Sequence, residues 1–334
     1  MTQNGTAIVV DAMGGDHAPG VVAEGLALAL AADPELLVLL VGPEAVVAPL
    51  ASDRCEPVIA TEVIGMGEHP AAAVRGKKDS SIVVGCRLVK DGRAGGFFSA
   101  GSTGACMAAA TLVMGRIPGI ARPAIAAVIP AAARPTVLLD VGANADVKAD
   151  MLVQFAGMGA AYARVMLGVT EPSVGLLNIG EEPSKGSALA QEAHELMAAS
   201  VPGFVGNVEG REVPAGTVDV IVTDGFTGNV TLKVLEGLAS VLFKEMKTAL
   251  TSTLPNRLAA SVVAPAIREL KDRLDPDAYG GAPLLGVNGV CIIGHGSSGA
   301  QAIANGIAAT ARAVRGDLTG TIARAAGDGA GTDE

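Results

Sequence analysis

Short, unbroken runs of apolar residues alternate along most of the chain with longer segments in which apolar residues recur every three or four positions. The short runs predict strands at residues 7–11, 36–41, 58–64, 96–99, 124–129, 136–140, 174–179, 204–208, 218–223 and 290–293. Because these runs show little polar alternation, each strand is expected to be covered on both faces.

Helical periodicity follows most of the predicted strands, at residues 21–31, 80–91, 103–114, 147–166 and 187–199. Strands that alternate with helices predict a mainly parallel sheet between two helix layers, which is a three-layer α/β/α fold. No internal repeat or long linker divides the chain. We therefore expect residues 1–326 to form a single α/β domain and residues 327–334 to form a disordered tail.

The alternation breaks between residues 230 and 274, where no strand is predicted. Apolar residues recur at helical spacing both before and after Pro255. We interpret residues 229–275 as a helical hairpin that turns near Leu254 and Pro255. The two helices pack on the sheet or on a partner subunit, or they project so that the tip touches a membrane, and the sequence leaves both interpretations open.

The composition narrows the range of function classes. Half of the 334 residues are hydrophobic but only 2% are aromatic, so aliphatic side chains must fill a large core. The formal net charge of −10 argues against a nucleic-acid partner. The four cysteines are scattered and form no C-x-x-C pair, which is typical of a reducing cytoplasm. The long apolar segment 151–169 contains Gln154 and Arg164, so we interpret it as a buried helix and not as a membrane span.

Glycine-rich turns that carry polar residues follow six of the predicted strands, at residues 11–17, 99–104, 140–146, 178–187, 223–229 and 294–299. In a parallel sheet these turns would share the carboxyl edge, where α/β proteins bind ligands. Glycine lets the backbone approach an anion, and helix N-termini supply free N–H groups. A single turn of this kind is explained by a helix cap, but six turns carrying Asp, His, Lys and Asn predict a phosphate site.

In two of these turns the order of residue types resembles a nucleotide-binding motif. Gly294, Gly296 and Gly299 match the dinucleotide fingerprint, but the residues after them are helical in pattern, so the required second strand is missing. In the other turn, Lys185 precedes Gly186 instead of following it, so the Walker pattern fails. The four histidines are far apart in sequence, which argues against a metal site. We therefore expect no cofactor and no metal.

Several blocks of sequence resemble the signatures of the phosphate acyltransferase family (the PlsX type), and they occur in the family order. The first is Asp11-Ala-Met-Gly-Gly-Asp-His-Ala-Pro19 and the last is His295-Gly-Ser-Ser298, and between them lie blocks at residues 75–81, 99–105, 140–144, 178–186, 222–229 and 279–286. The one departure is Ser102, which stands where an asparagine is common.

The resemblance implies a fold related to phosphotransacetylases and isocitrate-dehydrogenase-like enzymes, with the hairpin as an extension. It implies reversible transfer of a fatty acyl group from an acyl carrier protein thioester to inorganic phosphate, in bacterial phospholipid synthesis. It also implies a homodimer in the cytoplasm that associates peripherally with the inner face of the cell membrane. There the acyl phosphate would feed a membrane-bound glycerol-3-phosphate acyltransferase.

The reaction requires no catalytic triad, because phosphate is already an anionic nucleophile and a thiolate leaves readily. We expect Lys185 to anchor phosphate and offset developing negative charge, and Asn229 to donate to the thioester carbonyl. His17 and His295 are expected to donate to phosphate or to the leaving sulfur, and Asp224 is expected to orient Lys185 or a histidine. The expected phosphate-binding residues are Gly14, Gly15, Asp16, Gly101, Ser102, Thr103, Gly104, Asn144 and Ser297.

An acidic carrier protein would need a local basic patch on this net negative chain. One candidate comprises Arg75, Lys77 and Lys78; the other lies on the hairpin and comprises Arg257, Arg268, Lys271 and Arg273. Two further functions remain open at this point: an NAD(P)-dependent dehydrogenase on the same sheet, and a non-catalytic protein that binds acyl lipids.

Overall fold

The structure, a computed structural model, describes residues 7–328 and contains one sheet of eleven strands. The strands are β1 (Ile8–Asp11), β2 (Val38–Gly42), β3 (Cys55–Ile59), β4 (Gly96–Ser99), β5 (Ala124–Ile129), β6 (Thr136–Leu139), β7 (Val174–Asn178), β8 (Phe204–Glu209), β9 (Val220–Val222), β10 (Ala282–Leu285) and β11 (Val290–Ile293). Their order across the sheet is β3-β2-β1-β4-β11-β10-β5-β6-β9-β7-β8.

The helices are α1 (Gly20–Ala32), α2 (Glu44–Val47), α3 (Pro70–Gly76), α4 (Ser81–Lys90), α5 (Thr103–Ala109), α6 (Ala149–Leu167), α7 (Ala188–Ser200), α8 (Gly225–Thr251), α9 (Leu254–Arg273), α10 (Ala300–Arg315) and α11 (Leu318–Asp328). A π-helical segment, Ala110–Met114, continues α5. The predicted tail begins inside α11 at Gly327, and its residues 329–334 lie outside the described residues.

Two apolar clusters cover the two faces of the sheet, which confirms the three-layer arrangement. Side chains alternate along β1, so Ile8 and Val10 belong to one cluster and Val9 to the other. Helices α1, α6, α7, α10 and α11 contribute to the first cluster, and α3, α4 and α5 contribute to the second. The segment 151–169 is confirmed as a buried helix, since most of α6 lies in the core.

The sheet is mixed, and its two halves run in opposite directions. Strands β1, β2, β3, β4 and β11 are parallel to one another, and so are β6, β7, β8 and β9. Between the halves, β10 is antiparallel to β11 and β5, and β5 is antiparallel to β6. The expectation that all six turns share one carboxyl edge is therefore wrong.

Two strand predictions also differ from the structure. The strand predicted at residues 58–64 lies at 55–59, where β3 pairs only with β2 at the margin of the sheet and contains Pro57. Such a position tolerates proline, because one side of the strand needs no partner. The four residues of β10 were not predicted. They follow Gly280 and Gly281, whose positive φ angles turn the chain into the sheet.

The predicted hairpin is present as α8 and α9, joined at Ser252 and Thr253. Thr253 caps α9 by accepting a hydrogen bond from the backbone N–H of Asn256 at 3.3 Å. Helix α9 contains no buried residue among those described, and α8 is anchored near its base by Leu232 and Leu235. The hairpin thus packs on the domain at its base and projects at its tip.

Candidate active site

The turns after β1, β4 and β11 meet at the carboxyl ends of adjacent strands. A Cβ atom built on Gly14 would lie 2.8 Å from the backbone nitrogens of Ala100 and Gly101, so these two turns touch backbone to backbone. The backbone N–H of Asp16 donates to the carbonyl oxygen of Gly296 at 2.7 Å. We call residues 14–16, 100–104 and 295–297 together the glycine cradle.

The glycine cradle keeps backbone donors unused. Among residues 7–328, the N–H groups of Gly15, Thr103 and Gly104 donate to no acceptor within the protein. Gly15 has a φ of +111°, a conformation that favours glycine. The Ser102 side chain caps α5 by accepting from the N–H of Ala105 at 3.4 Å. Free N–H groups on closely spaced glycine turns are suited to binding an oxyanion.

Polar side chains surround the cradle. Asp16, His17 and Thr103 are exposed beside it, and so are His295 and Ser297. The backbone N–H of Ser297 lies 3.3 Å from His295 Nδ1 and can only donate, so Nδ1 is the acceptor. The other ring nitrogen, Nε2, is then the proton-bearing atom that His295 offers outward.

A loop at residues 62–69, which is followed by α3, borders the cradle. Its Met66 is 52% exposed, and a Cβ atom on Gly296 would lie 2.8 Å from the Met66 methyl carbon. The loop is fixed by Lys77, whose Nζ donates to the Val63 carbonyl oxygen and to Glu68 Oε1, both at 2.7 Å. The hydrogen bond from Lys77, together with one from the backbone N–H of Gly65, lowers the pKa of the Glu68 carboxyl. Lys77 is thus committed to the loop, which leaves Arg75 and Lys78 in that basic patch.

The turn after β6 is built around the buried carboxylate of Asp140. Its Oδ1 accepts from the N–H groups of Ile125, Gly142 and Ala143 at 3.0, 3.1 and 3.0 Å. Its Oδ2 accepts from the backbone N–H and the side-chain amide of Asn144 at 2.8 and 2.9 Å. Five donors therefore converge on one side chain, and the N–H groups of Gly142, Ala143 and Asn144 are not available to an anion.

Asn144, which was expected to bind phosphate, has no free donor. Its side-chain amide also donates to the Pro123 carbonyl oxygen at 2.8 Å. The backbone carbonyl oxygen of Asn144 accepts from the N–H of Gly225 at 2.8 Å, which joins this turn to the start of α8. The geometry favours a structural role for Asn144.

Asn229 and Asp224 lie where α8 begins. Asn229 is exposed, and its side chain lies against the Gly142 turn. Asp224 caps α8: its two carboxylate oxygens accept from the backbone N–H and the hydroxyl of Thr227 at 2.8 and 2.7 Å. Both oxygens thus serve Thr227, and neither hydrogen-bonds to Lys185 or to a histidine among residues 7–328.

Lys185 lies in the turn between β7 and α7. The Asn178 side chain donates to the Lys185 carbonyl oxygen at 3.1 Å, and Ser187 caps α7 through the N–H of Ala190 at 3.2 Å. The Lys185 side chain is exposed, and within residues 7–328 it forms no ion pair. Its ammonium group is therefore presented to solvent or to a ligand.

The expected site residues thus fall into two groups. The glycine cradle contains most of the expected phosphate-binding residues, with His17 beside it. The second set of turns, at residues 140–146, 178–187 and 223–229, contains Lys185, Asn229, Asp224 and Asn144. No hydrogen bond in the described part of the chain joins the two groups. Lys185 follows β7, and β7 lies six strands away from β4 in the sheet. At ordinary strand spacing these two strands are about 29 Å apart.

A cavity of about 470 Å³ lies beside the second set of turns. It is lined by Val147, Lys148, Ala149, Asp150, Leu189, Glu192 and Leu196. Three of these side chains carry charges, which makes the cavity a poor match for an acyl chain.

Comparison with known proteins agrees with the sequence blocks. A family model described as "Fatty acid synthesis protein" matches residues 6–320. The phosphate acyltransferase of Heliobacterium modesticaldum is 49% identical over 322 residues, which cover 94% of this chain and 96% of that protein. That of Thermobifida fusca is 47% identical over 326 residues, covering 95% of this chain and 90% of that protein.

Solved structures show the same fold at low sequence identity. A phosphotransacetylase from Streptococcus pyogenes superposes with a TM-score of 0.64 at 18% identity, covering 92% of this chain and 94% of that one. The EutD phosphotransacetylase from Staphylococcus aureus gives a TM-score of 0.59 at 17% identity, with the same coverage of 92% and 94%. The predicted relation to the phosphotransacetylase fold is therefore confirmed.

Proposed function

The chain belongs to the fatty acid synthesis protein family, whose curated relatives are phosphate acyltransferases, and we propose that it transfers a fatty acyl group from an acyl carrier protein thioester to inorganic phosphate. It is an acyltransferase, and its fold is that of phosphotransacetylases. The proposal adds the acyl donor and a place in phospholipid synthesis, where the acyl phosphate would serve a membrane glycerol-3-phosphate acyltransferase.

In the proposed reaction, an oxygen of phosphate attacks the carbonyl carbon of the thioester. A C–O bond forms, the C–S bond breaks, and the carrier protein leaves as a thiolate that then takes up a proton. The reverse reaction uses the same groups, so the transfer is reversible. Holding phosphate next to the thioester contributes up to about 7–11 kcal/mol to lowering the barrier, and each well-aimed donor to the oxyanion contributes about 3–4 kcal/mol.

The observation that carries the proposal is the glycine cradle. The N–H groups of Gly15, Thr103 and Gly104 are unused, and His17 and His295 are exposed at the same three turns. We assign phosphate to this cradle, with Asp16, Gly14, Gly101, Ser102 and Ser297 completing its walls. His295, which offers Nε2–H, donates to phosphate or to the leaving sulfur.

Lys185 and Asn229 are among the exposed polar side chains of the second set. We assign Lys185 to offset negative charge on phosphate and in the transition state, and Asn229 to donate to the thioester oxygen. Both must reach a phosphate bound in the cradle. We therefore propose a homodimer in which the cradle of one protomer and the second set of its partner act on the same thioester.

A direct assay tests the proposed function. Purified protein is mixed with an acyl carrier thioester and phosphate, and free thiol and acyl phosphate are measured together. We expect equal amounts of both products, formed only when phosphate is present. Thiol release without acyl phosphate, or acyl binding without either product, would overturn the proposal.

The dinucleotide fingerprint that would favour the dehydrogenase alternative is incomplete in the fold. The Gly294-to-Gly299 fingerprint follows β11, but only the helices α10 and α11 follow it in the described residues, so the second strand of a βαβ unit is missing there. The non-catalytic alternative is excluded by the enzyme family to which the chain belongs.

Membrane association is proposed for the hairpin tip. None of the helices described is long and apolar enough to cross a membrane. Leu254, Leu258 and Val262 share one face of α9 and are 71%, 66% and 79% exposed. Arg257 lies between them in sequence, as suits an interfacial helix on anionic lipid.

Vesicle flotation tests this surface role. Leu258→Glu should lower recovery of the protein with vesicles of anionic phospholipid, because a charge replaces an apolar contact with the lipid. The matched control is Leu112→Glu, since Leu112 is an apolar residue 54% exposed outside the hairpin. Equal loss of flotation in both variants would remove the hairpin tip from the proposal.

A further inference from the structure

Two buried polar side chains lie directly beneath the glycine cradle and have no part in the reaction described so far. Asp11 is the last residue of β1 and Ser99 is the last residue of β4, on neighbouring parallel strands. They are 2% and 0% exposed. The Ser99 hydroxyl donates to Asp11 Oδ2 at 2.7 Å.

Each side chain also contacts the turn that follows its own strand. Asp11 Oδ1 accepts from the backbone N–H of Met13 at 2.9 Å. Ser99 Oγ accepts from the backbone N–H of Gly101 at 3.0 Å. A continuous hydrogen-bonded chain therefore runs from Met13 through Asp11 and Ser99 to Gly101. It joins the first turn of the cradle to the second at the place where Gly14 touches Gly101.

The surroundings of Asp11 do little to stabilise a buried carboxylate. Within residues 7–328 Asp11 forms no ion pair, and its hydrogen-bond partners are the neutral groups of Ser99 and Met13. Burial raises the pKa of the Asp11 carboxyl, and these hydrogen bonds oppose that rise. A buried carboxylate without a cation opposes folding, so a role in the adjoining site accounts for it better.

We propose that Asp11 and Ser99 are positioning residues that fix the distance between the Gly14–Gly15 turn and the Gly101–Gly104 turn, and thereby the geometry of phosphate binding. The inference rests on the proposed function of the cradle as the phosphate site. Neither side chain touches phosphate, since both are buried below the turns. They act through the backbone donors that they hold in place.

A change in the spacing of the cradle should affect phosphate more than the thioester. Ser99→Ala removes the donor to Asp11 and the acceptor for Gly101. We expect the KM for phosphate to rise about tenfold, the effect of one lost hydrogen bond with a buried partner left unpaired. The KM for the acyl carrier thioester should stay within about twofold, because the second set of turns is unchanged.

Asp11→Ala provides an independent variant and a coupling test. It should raise the phosphate KM in the same selective way, and the Asp11→Ala/Ser99→Ala double variant should be no worse than the poorer single one. Such non-additivity is expected when two residues act through one contact. Additive effects would overturn the inference, and if Asp11→Ala does not fold, Ser99→Ala decides the matter alone.

Two controls separate this inference from the proposed function. Thr136→Val removes another buried hydroxyl, which donates to the Val218 carbonyl oxygen at 2.8 Å in the other half of the sheet, and should leave the phosphate KM unchanged. Gly15→Ala strains the cradle itself, where φ is +111°. If Gly15→Ala leaves the phosphate KM unchanged, the cradle is not the phosphate site. If Gly15→Ala raises it and Ser99→Ala does not, or if Ser99→Ala raises both KM values equally, the positioning role is wrong.

Discussion

The glycine cradle and the second set of turns look alike in sequence but differ in how the backbone N–H groups that follow a strand are used. In the cradle, backbone N–H groups at Gly15, Thr103 and Gly104 stay unused. In the second set, the Asp140 carboxylate accepts from the backbone N–H groups of Gly142, Ala143 and Asn144, and Lys185 and Asn229 are among the exposed side chains. Both sets expose polar side chains, but in the turn after β6 the backbone donors nearest the strand are occupied.

This difference indicates a division of work. Backbone donors are fixed in position and carry no mobile charge, which suits holding an anion that is present throughout the reaction. Side chains such as lysine and asparagine can place a charge or an amide donor at the carbonyl oxygen on which negative charge develops. A glycine-rich turn after a strand therefore does not by itself identify the group that binds phosphate, because a buried carboxylate at the strand end can use up its donors.

The largest effect is expected from removing the charge of the second set. Lys185→Ala should lower turnover at least about a hundredfold, by analogy with the loss of one group that stabilises an oxyanion. Most of the loss should appear in kcat, because the cradle, as proposed, still holds phosphate. Steady-state kinetics with varied phosphate and varied thioester would separate the effect on kcat from the effects on the two KM values.

The matched control for this variant is Lys148→Ala, another exposed lysine in the same half of the sheet. It should retain nearly normal turnover. Near-normal activity of Lys185→Ala would refute the assignment of Lys185, and an equal loss in both variants would point to the general charge of that surface.

Complementation between two inactive variants tests whether the two sets of turns meet across a dimer. Gly14→Ala should disrupt the cradle, because the new Cβ atom would lie 2.8 Å from the backbone nitrogens of Ala100 and Gly101. When Gly14→Ala and Lys185→Ala chains are co-expressed, half of the dimers are mixed. Each mixed dimer would hold one intact site, so we expect about a quarter of normal activity.

The result of this experiment bears directly on the comparison. Recovered activity means that the cradle of one protomer works with the second set of its partner. A mixture that stays as inactive as its components would confine both sets to one protomer and contradict the shared site. Different affinity tags on the two chains, with recovery of dimers that carry both tags, serve as the control for dimer exchange.

Most elements of the fold could be predicted from the sequence, but their direction in the sheet could not. The bounds of β4, β5 and β11 match their apolar runs, because a strand covered on both faces is apolar throughout. The same pattern arises whichever way a strand runs, so the reversal at β10 and β5 had no signal. β10 itself is only four residues between glycine-rich segments.

The site shows the same limit at the level of single residues. Gly14, Gly101 and Gly296 could be identified because glycine and polar residues cluster after strands. Asp11 and Ser99 were not identified, since each looks like an ordinary polar residue that ends a strand. Their contact depends on β1 and β4 being neighbours, and strand order is set by packing of the whole sheet rather than by local sequence.

The smallest effect is expected at two buried carboxylates, Asp11 below the glycine cradle and Asp140 in the second set of turns. Replacing each of them compares the two regions most directly. Burial raises the pKa of Asp11, so the protonated carboxyl favours the folded state. Its contribution is complete below the unfolded-state pKa of about 4 and is lost as the pH rises through the raised folded-state pKa. Asparagine cannot ionise, so the stability of Asp11→Asn relative to the wild type should increase from pH 4 towards neutrality.

Asp140→Asn should instead lower the stability of the protein at neutral pH. The Asp140 oxygens accept from backbone and amide N–H groups, which cannot reverse their role, whereas the partner of Asp11 Oδ2 is a hydroxyl that can accept as well as donate. Asp140→Asn should therefore lower the free energy of unfolding by at least about 2 kcal/mol. Urea unfolding of both variants at a series of pH values measures the two effects together. If Asp11→Asn were destabilised as much as Asp140→Asn at neutral pH, the two carboxylates would be equivalent structural anchors, and the distinction between the cradle and the second set would lose its physical basis.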